Sequence, residues 1–437
     1  MKFKLIASLL LIIIALCGCS GKKKTSYLSG KDFVSLIEDS YKAKPDSDTV
    51  DIKVTLKPAK RIDSWLNSDF NLVKAPENIL ISNFDPNKNK TFSIYRNDNI
   101  FGSDYTPVID KDIAYVVDNK NVIHAFDLNT KKNKWSQSLI NKYKTDEFAG
   151  GGIAKKDDIL IATLGSNSVV ALDAKNGNII WNYKLSNISR STPVISGDYV
   201  YVITIDNKIY SFNIFTGIPK WALGGAVEKL GIFGSASPAI YGNNLVVPHS
   251  SGQLITLKKD SGEVLWDLSL INTNQSTTSL YLNDIDMTPV IDQDVIYICN
   301  YSGTFFAINI NTGSIKWLND TVGGGSYIWN SEEFIFTINK YSQLVAVYKL
   351  DGSIKWVLDL EQKISNKSDG KISFSGPILV NDELFISSSS GQLFAINPNS
   401  GKITKTYQIP KNIYSPPIVS GNRMILFNNQ GTITIIE

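Results

Sequence analysis

From about Lys90 to the end of the chain, apolar residues fall in short runs rich in Val, Ile, Tyr and Phe, separated by Gly, Asn, Asp and Ser. That alternation predicts short strands joined by tight turns, and no stretch here keeps a convincing helical period. Two phrases recur in fixed order. The first is a small residue and Pro ahead of an apolar run, as in Ser191–Val202 (STPVISGDYVYV), with versions beginning near 105, 151, 191, 236, 287, 325, 375 and 415. The second is an apolar pair, a polar turn ending in Gly, three residues, then Trp. It stands at Ala171–Trp181 (ALDAKNGNIIW), Ser211–Trp221, Thr256–Trp266 and Ala307–Trp317. Weaker versions are Ala125–Trp135, where Lys131 replaces the Gly, Ala346–Trp356, and Ala395–Lys405, where Lys405 replaces the Trp. Six of the eight tryptophans (Trp135, Trp181, Trp221, Trp266, Trp317 and Trp356) share this slot, which marks an internal repeat.

Ahead of the repeats the pattern is different. Leu5 to Leu16 is an apolar run behind Lys2 and Lys4. Gly21–Thr49 is polar, with a weak helical spacing at Phe33, Ile37 and Tyr41. Val50–Leu56 alternates apolar and polar residues, which predicts a strand. Trp65–Asn89 keeps no period and reads as irregular covering structure.

Each repeat of roughly 40–50 residues holds four strands. Pro suits the start of the first, where no ladder donor is needed. Gly in the turn before the Trp strand supplies a positive φ. One four-stranded sheet cannot bury both faces, whereas sheets stacked radially in a ring can. The fold class that follows is all-β: an eight-bladed β-propeller of four-stranded antiparallel blades, with the Trp at the joint between neighbouring sheets. The eighth unit stops after three strands, at Glu437. Lys90–Asn97, just before blade one, is therefore expected to supply the missing strand and close the last blade from the N-terminal side. The chain divides into a signal segment (1–18), a tether with an irregular segment (19–89) and the propeller (90–437).

Composition narrows the chemistry. The formal net charge is +3, and +1 without Lys2 and Lys4 (3 − 2), so nothing electrostatic favours nucleic acid. The three cysteines are Cys17, Cys19 and Cys299, too few for a disulfide framework or a zinc pattern. His124 and His249 are far apart, and satisfied structural histidines are the expectation. Met1–Gly18 has the basic start and apolar run of a secretory signal. Its end, Leu16-Cys17-Gly18-Cys19, resembles the bacterial lipobox. That resemblance implies cleavage before Cys19 and lipidation of its thiol and new amine. Ser20 then points to the outer membrane, with the body of the protein on the periplasmic face.

The Ala-x-Asp-x-x-Thr-Gly-x-x-x-Trp plan resembles the repeat of the PQQ-type (quinoprotein) β-propellers, over about 330 residues on a repeat count. That fold hosts enzymes and scaffolds alike. In the alcohol dehydrogenases of the family an adjacent Cys pair lies over the quinone, and Glu, Asn and Asp bind Ca²⁺. Here Cys299 stands alone within a strand (VIYIC) and reads as a small buried apolar residue. The lipoprotein branch is the BamB-like scaffolds of the β-barrel assembly machinery. Leu230–Gly234 (LGIFG) and Leu282–Pro289 (LNDIDMTP) are similar to two of its loops. The resemblance implies a non-enzymatic scaffold with no cofactor, which docks on a POTRA domain of BamA and meets the other subunits of the machinery indirectly. It implies contacts by Leu230, Ile232, Asp284 and Asp286. Phe233 stands where the family has Arg, which removes a charge-assisted contact. The repeat alone adds that both loops join a fourth strand to the next blade's first strand, and so leave one face of the ring. Leu230, Ile232 and Phe233 would be an apolar centre with acidic neighbours; the alternative is that Leu230 and Ile232 tuck into the propeller top. Glu361–Phe374 is a third long connection on that face. Two other functions stay open: a PQQ-dependent oxidoreductase, and a generic lipid-anchored binding propeller.

Overall fold

The computed structural model describes residues 42–68, 78–95, 106–118, 120–139, 151–164, 167–224, 236–270, 285, 287–325, 327–364 and 372–437. These build eight antiparallel sheets arranged as the blades of a propeller. Blade three is typical: Val194–Ser196, Tyr199–Ile203, Ile209–Asn213 and Pro219–Leu223 pair in chain order. Its second and third strands are almost wholly buried because neighbouring blades cover both their faces. Such strands read as unbroken apolar runs. The fourth strand lies where the wedge is widest, and its residues are exposed or half-buried. First strands of successive blades touch around the axis. Among the described residues no helix is long and apolar enough to cross a membrane.

Two short strands from the N-terminal segment join this ring. Strand β1 (Ser64–Trp65) adds to the inner edge of blade one, with Ser64 opposite Asp110 and Trp65 opposite Ile109. Strand β2 (Asn89–Ser93) pairs antiparallel with Thr432–Ile436, Asn89 opposite Ile436. Blade eight therefore takes its fourth strand from before blade one, as the count of strands predicts. Phe92 stacks on Phe126 of blade one, ring centres 5.4 Å apart. Tyr95 stacks on His124 at 5.3 Å.

The rest of the segment crosses the propeller. Asp46 bonds to Ile354 on the rim of blade six, and Asn399 of blade seven caps the Val54 N–H. Asn381 and Asp382 hold Ile81 and Asn78, and Gly421 donates to the Ile62 carbonyl. The path then reaches the axis. Ser68 donates its N–H to Ile153, its hydroxyl binds the Thr106 carbonyl at 2.6 Å, and the Asn67 amide binds Pro193. The strand expected at Val50–Leu56 does not form: the alternating residues lie across blades and have no ladder partner.

The repeated Trp and Gly meet across each joint. Trp181 of blade two lies against Gly217 of blade three, where an added Cβ would come within 2.6 Å of the ring. Its indole N–H donates to the Ile214 carbonyl at 2.8 Å. The same bond, always to the residue three before the Gly, runs from Trp135 to Ala174, Trp221 to Lys259, Trp266 to Ile310, Trp317 to Lys349 and Trp356 to Pro398. Gly is required twice over in this turn, for the positive φ and for the absence of a Cβ. The two departures from the motif sit at the ring closure. Lys405 faces blade eight, which has no such turn because its fourth strand comes from elsewhere. Lys131 faces blade eight from the other side. There the Trp slot, opposite Ile435, is Lys90, so no indole requires Gly, and Lys131 keeps the turn at φ 56°.

Candidate interaction face

The turn between second and third strands has a positive-φ residue in every blade: Asn121, Asn167, Asn207, Gly252, Gly303, Ser342, Gly391 and Gly431. Its carbonyl receives an N–H from just beyond the fourth strand. Leu139 donates to Asn121, Leu185 to Asn167, Leu270 to Gly252, Leu360 to Ser342 and Ile409 to Gly391. The blade-to-blade connections thus leave on the face that carries these turns. The opposite face, with the turns between first and second strands, is crossed by residues 54–66 and 78–84.

The sequence-predicted contact residues Leu230, Ile232, Phe233, Asp284 and Asp286 lie outside the described residues, as do Cys19 and the weak helical pattern at Phe33–Tyr41. The ends of both connections are described. The first leaves from Leu223 and Gly224 and re-enters at Ala236 and Ser237, both buried. The second leaves from the buried Leu270 and re-enters at the buried Met287. Ile285, between the two aspartates, is 2 % exposed and belongs to the core cluster of blades four and five. Hydroxyls tie the re-entry points together. Thr192 donates its N–H to Ser237 Oγ at 3.0 Å, and Ser237 donates its N–H to Thr288 Oγ1 at 3.0 Å. Ser237 and Thr288, each just before a Pro, therefore link blades three, four and five, a role the repeat count did not reveal.

His249 lies beneath this face, in the second-to-third turn of blade four, near Leu223 and Gly224. In the same position Asn300, Asn339 and Asn428 each accept two backbone N–H groups of their own turn. The imidazole does not: its Nδ1 has no partner among the described residues. Burial pushes its pKa down from 6.5 to about 4. The expectation of satisfied histidines thus fails here. It holds at His124, whose Nε2 meets Asp118 at 3.0 Å and Nδ1 meets Ser136 Oγ at 2.9 Å. In that Ser–His–Asp line, His124 and Ser136 face each other as a cross-strand pair. Asp118 spends its other oxygen capping Lys120 and Val122, and the Ser136 hydroxyl also meets the Asn133 amide at 2.8 Å.

Cys299 is buried, with its Sγ against the Gly325 carbonyl and Met287 Sδ. Among the described residues no three His, Cys, Asp or Glu side chains gather to hold a metal.

Comparison with known proteins follows the fold. The family profile described as "Outer membrane protein assembly factor BamB" matches residues 135–358. An uncharacterized protein of Rickettsia conorii is 31 % identical over 362 residues, spanning 80 % of this chain and 84 % of that one. The crystal structure of BamB from Moraxella catarrhalis superposes with a TM-score of 0.66 at 19 % identity, covering 80 % of this chain and all of the other. A quinohemoprotein alcohol dehydrogenase from Comamonas testosteroni gives 0.64 at 13 % identity, covering 86 % and 81 %. At these identities the two structures speak to the fold alone.

Proposed function

This chain belongs to the BamB family of outer membrane protein assembly factors, and we propose that it is a non-enzymatic scaffold of that machinery. On this reading Cys19 carries the lipid anchor and holds the propeller at the periplasmic face of the outer membrane. Several acyl chains, at about 0.8 kcal/mol per buried CH₂, suffice for a firm attachment. The partner is a POTRA domain of BamA. The contact surface is the pair of connections after Trp221 and Trp266, with Leu230, Ile232 and Phe233 at its centre and Asp284 and Asp286 beside them.

The observation that supports a joint surface is the hydroxyl link between the two connections. Ser237 and Thr288 end them and share a hydrogen bond, so the loops leave neighbouring blades on one face. Ile285 adds a fixed point, pinned in the core between the two aspartates. An apolar centre rimmed by charge is the usual anatomy of a protein interface.

The test is association. Leu230→Glu with Ile232→Glu should abolish co-purification with BamA while circular dichroism and melting temperature stay unchanged. Undiminished co-purification would overturn this surface.

A further inference from the structure

Blades five and six enter their fourth strands, Ile315–Asn319 and Ile354–Asp359, through the same five residues, Gly-Ser-Ile-Lys-Trp, at Gly313–Trp317 and Gly352–Trp356. The register is also the same: Ile315 pairs with Ile308, Ile354 with Val347, and a bulge follows in both. Their surroundings differ. In blade six the motif is covered by the chain's own N-terminal segment. Asp46 donates its N–H to the Ile354 carbonyl at 2.7 Å, and its carboxylate accepts the Ile354 N–H at 2.7 Å. The Thr49 hydroxyl donates to the same carbonyl at 2.8 Å. Lys355 Nζ donates to the carbonyls of Val50 and Ile52, at 2.7 and 2.5 Å. Ile354 is 2 % and Lys355 5 % exposed. In blade five Ile315 is 42 % exposed, Leu318 is 47 % exposed, and Lys316 lies 3.8 Å from Asp294.

We infer that the rim of blade five at Ile315–Leu318 is a peptide-binding site, taking an acidic segment of a partner protein in the conformation that Asp46–Ile52 adopts on blade six. The register turns the N–H and C=O of Ile315 to the outer edge, as it does for Ile354. An aspartate of the ligand satisfies both, a hydroxyl three residues later shares the carbonyl, and Lys316 collects two carbonyls further on. A charge-assisted bond to each is stronger than a neutral one. The other blades lack part of this set. Blade three has Pro219 in place of the isoleucine, which has no N–H to offer. Blades two and four follow the apolar residue with Ile180 and Leu265, and blade seven with Thr404, so none offers the ammonium. Blade one keeps the backbone pair and Lys134 but has Asn133 in place of the isoleucine, and so lacks its apolar contact. The site does not depend on the assembly role proposed above.

The probe is a fluorescein-labelled synthetic peptide of residues 42–54, titrated into the purified full chain and followed by fluorescence anisotropy. Saturable one-to-one binding is expected, weakened at least tenfold by Lys316→Glu in the protein or by alanine at the peptide's Asp46. A photoreactive group at peptide position 50 should label residues 315–318. Lys316 is exposed, so the variant should keep the wild-type melting temperature. No saturable binding, binding indifferent to Lys316→Glu, or labelling of blade six by exchange with the resident segment would each overturn the inference. So would a dimer of the free chain that Lys316→Glu dissolves, since the occupant would then be a second copy.

Discussion

A Cβ added to Gly313 would come within 2.8 Å of the Trp266 ring, at a position whose φ is +70°. Gly313→Ala should therefore destabilise the propeller by about 1–3 kcal/mol through overpacking and backbone strain together. Lys131→Ala, at the equivalent turn that faces no indole, should move stability by less than about 0.5 kcal/mol, in the range of an ordinary surface change. Urea midpoints of the two variants measure the contrast. His249 gives a pH dependence. Its folded pKa is depressed to about 4, so the neutral ring is the form that folding favours. Above pH 6.5 that preference costs nothing. As pH falls from 6.5 toward 4 the unfolded chain binds a proton that the folded chain refuses, and stability drops by roughly 2–3 kcal/mol before levelling off. His249→Asn should remove most of this drop and supply the turn cap seen at Asn300, which denaturant titrations at pH 7.5 and pH 5 would show. The motif itself was open to sequence reading because seven units repeat it, one without the Gly and one without the Trp, whereas the contact of each Trp with the next blade's Gly was not. What the exceptions mean needed the register of β2 against the last strand, which puts Lys90 in the Trp slot that Lys131 faces.

Among the elements, the strands of the propeller were legible because each repeats a pattern with a fixed turn chemistry. The N-terminal segment was not. Val50–Leu56 has a strand's alternation and forms none, because alternation is read only when a neighbouring edge runs beside it. β1 is two residues long, below what periodicity can detect, yet it places Trp65 at 3 % exposure against blades one and eight. Trp65→Ala should cost about 3–5 kcal/mol, the usual range for a buried aromatic, and thermal melting should show it as one shifted transition. The interface loops fall between these cases. Repeat counting puts both on one face, and the hydrogen bond from Ser237 to Thr288 joins their ends. The choice of Leu230, Ile232, Phe233, Asp284 and Asp286 within them came from family resemblance, because an interface residue has no internal repeat to be read from.

At the scale of the molecule, the ring has one seam, and both of its sides depend on residues that precede blade one. Inside, β1 and Asp63 engage blade one and Ser420 of blade eight. Outside, β2 completes blade eight, and Arg423 reaches Asp112 of blade one at 2.9 Å. A chain ended ten residues early would lose Thr432–Ile436, the partner of β2, and with it the seam. It should unfold as a whole at a much lower temperature rather than lose one blade, a result calorimetry would read directly. Survival of the full transition would mean that the blades hold without closure.

The pairing of β2 with the last strand also sets an order in time. Thr91 and Thr434 share a hydrogen bond across 343 positions of sequence. The first of these residues is made long before its partner exists. Until then blade eight has nothing to close on, and seven blades stand as an open arc with two raw edges. Closing so distant a contact costs loop entropy and comes late in folding. The arc keeps unpaired strand edges for as long as the tail is missing, and ring closure is what removes them.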